Sequence, residues 1–140
     1  MEQRLTIITL GVSDLAVASD FYENKFGWKR HGNSMGDIVF FQLNGIQLAI
    51  FPRTELAKDA TVADKGTGFK GFSLAHNVGS EKEVDDLVAT LKKKGVRVVK
   101  EPQKTSWGGY SSYVEDPDGN LWEIAHNPYL ELDAKGNVVG

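Results

Sequence analysis

The chain of 140 residues contains no cysteine, so it can form no disulfide, no thiolate metal site and no cysteine nucleophile. The excess of negative over positive charge is also small. The net charge of -3 gives no electrostatic reason to expect nucleic acid or an anionic membrane as a partner. No stretch approaches the roughly 20 apolar residues that span a bilayer. The first residues do not resemble a signal peptide, so the expected location is the cytoplasm.

Length and composition fit one globular domain over residues 1–140. Hydrophobic residues make up 41% of the chain and charged residues 25%, close to the average for globular proteins, so wholesale disorder is not expected. Changes in composition divide the chain into four parts. These are a first module over about 4–53, a linker over about 54–68, a second module over about 69–128 and a tail over 129–140.

The first module reads as a strand, a helix and three more strands. Its β-branched residues favour a strand over 5–12, and Ser13-Asp14 supplies a helix N-cap. Apolar residues at helical spacing then continue to Gly27, which ends the helix. The following strands are predicted over about 28–31, 38–43 and 46–51. Asn44-Gly45, between the last two, is a strong hairpin signal because both residues tolerate positive φ.

The second module repeats this order. A strand is predicted over 72–78, and Ser80 with Glu83 forms a capping box ahead of an apolar helical stripe that ends at Gly95. The remaining strands are predicted from residue 96 onward, over 110–115 and over 121–126. The repeat predicts an α+β fold of two tandem βαβββ modules. These would form a cupped, partly closed mixed sheet with the helices on the outside.

Two segments resemble the vicinal oxygen chelate superfamily, which includes glyoxalase I, extradiol dioxygenases, fosfomycin-resistance enzymes and bleomycin-resistance proteins. The residues Leu10-Gly11-Val12-Ser13-Asp14-Leu15, followed by Phe21-Tyr22 and Gly27, resemble the opening of a module. The residues Trp107-Gly108-Gly109-Tyr110 and then 116–123 resemble the end of the second module. The resemblance spans about residues 4–128 and implies the same fold. It does not by itself imply one chemistry.

Metal-dependent members of that superfamily hold a divalent ion that chelates two neighbouring substrate oxygens. Their ligands are a His or Gln on the first strand of each module and a Glu on the last strand of one or both. The matching positions in this sequence are Ile7, Ala49, Ser73 and Glu123. Only Glu123 is a good metal ligand. The resemblance therefore implies no metal ligand set and no other cofactor, with a divalent metal at a displaced site as the alternative.

A ligand pocket is expected beside these strands. Its predicted ligand-binding residues are Ile7, Thr9, Ala49, Ser73, Trp107, Tyr110, Tyr113 and Glu123. Trp107 and the tyrosines would form an aromatic wall, or alternatively pack in the core and loops. Glu123 would act as a hydrogen-bond acceptor or as a general base. If it is buried, Ser73 is its expected partner.

Two functions stay open on the sequence alone. The first is a metal-free protein, similar to bleomycin-resistance proteins, that binds or sequesters an apolar or aromatic small molecule. The second is a glyoxalase-like lyase or isomerase, or a dioxygenase, that uses a displaced metal site or Glu123 as base. The resemblance also implies a homodimer. Apart from a second copy, the expected partner is a small-molecule ligand, with no nucleic acid and no membrane.

Overall fold

The structure, a computed structural model, describes residues 1, 3, 5–66 and 68–139. The chain divides into two compact units, residues 1–67 and 68–140, and the boundary falls in the predicted linker. The predicted module start at residue 4 and the tail end at residue 140 lie outside the described residues. The single-domain organisation stays a prediction. No helix among the described residues is long and apolar enough to cross a membrane.

The first unit has one sheet with helical segments before and after its strands. Its elements are β1 (Ile7–Val12), α1 (Leu15–Asp20), a π-helix (Phe21–Lys25), β2 (Val39–Gln42), β3 (Gln47–Pro52) and α2 (Arg53–Asp59). The strand order is β1-β3-β2, with β1 parallel and β2 antiparallel to β3. The predicted N-cap is confirmed, because the Asp14 carboxylate accepts a hydrogen bond from the Val17 N–H at 3.1 Å.

The strand predicted over residues 28–31 is wrong. This segment makes a single isolated bridge, between Arg30 and Phe41. The Trp28 N–H donates to the Tyr22 carbonyl at 2.9 Å, and the Trp28 ring stacks on the Tyr22 ring with centroids 5.5 Å apart. The chain leaving the π-helix is therefore held against that helix and meets β2 only at this bridge, which the His31 N–H extends by donating to the Phe40 carbonyl at 2.8 Å.

An aromatic cluster covers one face of the first sheet. Tyr22 and Trp28 each place a ring centroid 5.8 Å from the centroid of Phe41 on β2. Five other residues on the Phe41 face are buried, namely Leu10, Val12, Val39, Leu48 and Ile50. Since side chains alternate along a strand, Thr9 and Ala49 lie on the opposite face.

The second unit has the predicted βαβββ order, and with it the α+β class is confirmed. Its elements are β4 (Leu74–Asn77), α3 (Glu81–Lys93), β5 (Arg97–Lys104), β6 (Tyr110–Glu115) and β7 (Leu121–His126). The strand order is β4-β7-β6-β5, with β4 parallel to β7 and the other pairs antiparallel. The capping contact is also confirmed, because Ser80 Oγ accepts from the Glu83 N–H at 3.2 Å.

Helix α3 covers one face of the second sheet. Val84 and Val88 of the helix form a buried cluster with Ile124 of β7, and Tyr110 of β6 packs against it. Strand alternation therefore places Glu123, next to Ile124, on the face that α3 does not cover.

Candidate functional site

Four residues form a row across the second sheet on the face away from α3. The register pairs Lys100 with Tyr113, Tyr113 with Glu123, and Glu123 with Ala75. Residues paired across neighbouring strands share a face, with Cβ atoms about 5 Å apart. This arrangement, called the Glu123 row below, brings an amine, a phenol and a carboxylate side by side.

Lys100 is not among the residues predicted from the sequence, because a β-bulge brings it into the row. Val98 pairs with Val114 and packs towards α3, so regular alternation would turn Lys100 to the α3 side as well. The register shifts between Val98 and Lys100, and Lys100 becomes the partner of Tyr113. One extra residue in a strand reverses the alternation beyond it. The sequence carries no local signal for that insertion.

The polar groups of the Glu123 row have no partner among the residues that the structure describes. Across the part of the chain that the structure describes, no hydrogen bond or ion pair engages the Lys100 amine, the Tyr113 hydroxyl or the Glu123 carboxylate. Tyr113 and Glu123 are half-buried. The sheet register fixes the backbone positions of these residues, and their polar groups remain available to a ligand.

Two predicted residues of this unit, Ser73 and Tyr110, do not lie in the Glu123 row. Ser73 precedes β4 and is exposed, and the expected bond between Ser73 and Glu123 does not form. The parallel register sets Ala75 opposite Glu123, two residues further along. Tyr110 lies on the α3 side, where its hydroxyl donates to an Asp85 carboxylate oxygen at 2.7 Å. That hydrogen bond raises the pKa of the Tyr110 hydroxyl.

Trp107 lies in the loop between β5 and β6 and is 46% exposed. Its ring covers the backbone of Gly109, where a Cβ atom would come within 2.0 Å of the indole. Tyr129 covers the neighbouring Gly108 in the same way, at 2.9 Å from its hydroxyl oxygen. The paired glycines thus make room for two aromatic rings at the end of the hairpin, outside the Glu123 row.

In the first unit the register places Thr9 beside Ala49 and Ala49 beside Phe40, while Ile7 pairs with Gln47. Ile7 is 41% exposed and Thr9 is also exposed. Ala49 is completely buried, at 0% exposure. Of the predicted residues in this unit, Ile7 and Thr9 are therefore accessible to a ligand and Ala49 is not.

The residues present do not fit the divalent metal that the fold family implies. Glu123 is the single carboxylate of its row, whereas catalytic zinc sites use three protein ligands. His76 pairs with Ile124 and His126 pairs with Tyr110, so strand register places both imidazoles on the opposite face of the sheet. Among the described residues no group of three or more His, Asp or Glu side chains could hold a metal ion.

A separate pocket of about 600 Å³ lies between α3 and the C-terminal turn, with Val78 and Leu87 in its wall. Two of its three carboxylates already have partners within the protein. Asp86 pairs with Lys82 at 2.5 Å, and Asp133 accepts hydrogen bonds within its own turn, which lower the pKa of its carboxyl. None of the predicted site residues lines this pocket.

Residues 4–124 match the family model of the Glyoxalase/Bleomycin resistance protein/Dioxygenase superfamily. The chain belongs to this superfamily. The vicinal oxygen chelate fold that the sequence motifs predicted is thereby confirmed.

Solved and curated members of the superfamily are similar to this chain. A glyoxalase-related enzyme from Fulvimarina pelagi is 37% identical, with a TM-score of 0.88 over 99% of both chains. A lactoylglutathione lyase of Arabidopsis thaliana is 31% identical over 130 residues, which are 87% of this chain and 44% of that protein. The chain therefore spans less than half the length of that relative. A lactoylglutathione lyase from Agrobacterium tumefaciens, 23% identical with a TM-score of 0.70 over 91% and 96% of the two chains, shares the fold.

Proposed function

We propose that this protein is a small-molecule-binding member of the superfamily that works without a resident metal and binds or sequesters an apolar or aromatic ligand. The Glu123 row carries the proposal, because its phenol and carboxylate lie side by side and neither has a hydrogen-bond or ion-pair partner among the described residues. A few polar groups placed beside apolar and aromatic surface are typical of ligand sites. Tyr113 offers a ring for stacking, and Glu123 accepts a hydrogen bond from the ligand.

Other predicted residues support ligand contact to different degrees. Ile7 and Thr9 are the exposed positions in the first unit. Ser73 and Trp107 are exposed in the second. We propose Ser73 and Trp107 as additional contacts for the ligand that Tyr113 and Glu123 orient, and Ile7 and Thr9 as the ligand contacts that the first unit offers.

Calorimetric titration of 4-hydroxybiphenyl into chelator-treated protein tests the proposal. We expect binding to the parent protein and binding about tenfold weaker in Glu123→Gln. The reason is that a hydrogen bond to a charged acceptor contributes about 1.5–3 kcal/mol, and about 1.4 kcal/mol corresponds to tenfold. The amide keeps an acceptor oxygen but loses the charge.

Glu131→Gln is the matched control, because it makes the same charge change at an exposed position in the tail, outside the row. It should bind 4-hydroxybiphenyl as the parent does. Nickel, zinc, iron(II) or manganese added to the chelator-treated protein should leave the affinity unchanged. Stoichiometric metal binding tighter than micromolar, lost in Glu123→Gln, would contradict the metal-free proposal.

The unpartnered carboxylate also supports a second candidate function, a glyoxalase-like lyase or isomerase with Glu123 as general base. In that case Glu123 takes a proton from the substrate, and the adjacent Tyr113 hydroxyl donates to the oxygen that gains charge. The similarity to lactoylglutathione lyases makes lactoylglutathione the first compound to test. Turnover that Glu123→Gln abolishes would replace the binding proposal with the enzymatic one.

We also propose that the protein is a cytoplasmic homodimer. Both units carry large exposed apolar side chains that a second copy would cover, among them Val17 and Met35 in the first and Phe69 and Phe72 in the second. Light scattering at micromolar concentration should give twice the chain mass of 15.4 kDa. A monomeric mass would remove the homodimer.

A further inference from the structure

We infer that the ligand of the Glu123 row is an aromatic acid whose acidic group is bound by Lys100. This inference rests on the proposed function and makes it more specific. It names the ligand class and adds a residue that determines specificity.

The register fixes the order of chemical groups that a ligand meets. Lys100 and Glu123 stand at the two ends, with the strand that carries Tyr113 between them. Strands lie about 4.8 Å apart, so the two end positions are about 10 Å apart on one face. A complementary ligand has an acid at one end, a flat apolar body over Tyr113, and a hydrogen-bond donor near Glu123.

Lys100 differs from the other cations of its strand. Arg97 pairs with Glu115 at 2.6 Å, and Lys104 pairs with Glu81 of α3. In the described part of the chain, Lys100 has no carboxylate within ion-pair distance. The strand therefore uses its other basic residues for its own structure and leaves this one beside the phenol.

The bulge is the second reason to single out Lys100 from ordinary surface lysines. It is the bulge that makes Lys100 the partner of Tyr113, on the face away from α3. Bulges next to binding sites commonly re-aim a side chain in this way. Lys100 is exposed but Tyr113 is half-buried, so a charged group bound between the two is less screened by water than at a fully open surface.

Three matched probes test the contacts at the two ends of the row separately. They are 4′-hydroxybiphenyl-4-carboxylate, 4-hydroxybiphenyl, which lacks the acid, and biphenyl-4-carboxylate, which lacks the donor. By calorimetry the parent protein should bind the first about tenfold more tightly than the second, as expected for one charge-assisted contact. In Lys100→Gln this preference should disappear, while the preference for the hydroxylated over the non-hydroxylated acid persists.

Lys93→Gln is the control, because it removes the same charge from an exposed position on α3, which covers the opposite face of the sheet. It should keep the preference for the acid. Deletion of Val99 should remove the bulge and place Lys100 directly after Val98, where regular alternation keeps it opposite Tyr113, so this variant should also keep the preference.

The outcomes separate this inference from the proposed function. If none of the three probes binds, the proposed function fails and the inference fails with it. Suppose instead that 4-hydroxybiphenyl binds in a Glu123-dependent way. If the carboxylate then brings no gain, or a gain that survives in Lys100→Gln, the inference alone is overturned.

Discussion

Replacing Phe41 with alanine should lower the free energy of unfolding by about 3–5 kcal/mol, the usual loss for a buried phenylalanine. Phe41 is 1% exposed and touches the rings of Tyr22 and Trp28. Alanine would leave a cavity that two stiff rings cannot fill, in addition to the lost transfer free energy. Urea unfolding followed by tryptophan fluorescence measures the change.

Phe69→Ala is the matched control, since it removes the same ring from a position that is 77% exposed. Its free energy of unfolding should change by less than about 0.5 kcal/mol. A loss below about 1 kcal/mol in Phe41→Ala would show that the aromatic cluster is not the core of the first unit.

The second large loss is expected for Asp116→Ala, at about 2–4 kcal/mol. The Asp116 side chain lies in the turn between β6 and β7, and the residue is 3% exposed. Its carboxylate accepts from the Asp118 and Asn120 N–H groups at 2.9 and 2.8 Å, and from the Asn120 amide at 2.7 Å. Alanine would leave these donors without their acceptor, and buried donors without acceptors are expensive.

Asp133 offers a matched control because it makes the same three contacts in an exposed turn. Its carboxylate accepts from the Lys135 and Asn137 N–H groups and from the Asn137 amide. Water replaces those contacts in Asp133→Ala, so the loss should stay below about 1 kcal/mol. Equal losses in the two variants would contradict burial as the reason.

Local signals predicted the parts of the fold that depend on neighbouring residues. The caps at Asp14 and Ser80 and the bounds of β6 and β7 follow from side-chain oxygens and period-two alternation. The strand predicted at Trp28 failed because ring contacts with a preceding helix outweighed local strand preference. Those contacts depend on how the segments pack, which the local pattern does not encode.

Strand alternation and the family motifs predict only part of the candidate site. The resemblance located Glu123, and Tyr113 was among the aromatic residues expected near it. Alternation alone could have shown that Tyr110 and Tyr113 lie on opposite faces of the sheet, because residues three apart on a strand face opposite ways. Lys100 could not be found in this way, because the bulge interrupts the alternation before it reaches that residue.

The bulge lies on β5, an edge strand of its sheet. The ligand preference can therefore change without a change in how the sheet folds. The gain of one codon immediately before Lys100 would place the new residue opposite Tyr113 and turn Lys100 to the other face, without altering the buried cluster of Val84, Val88 and Ile124. On the assignment proposed for Lys100, descendants of this gene can exchange acidic for neutral ligands in one mutational step while every core side chain stays as it is.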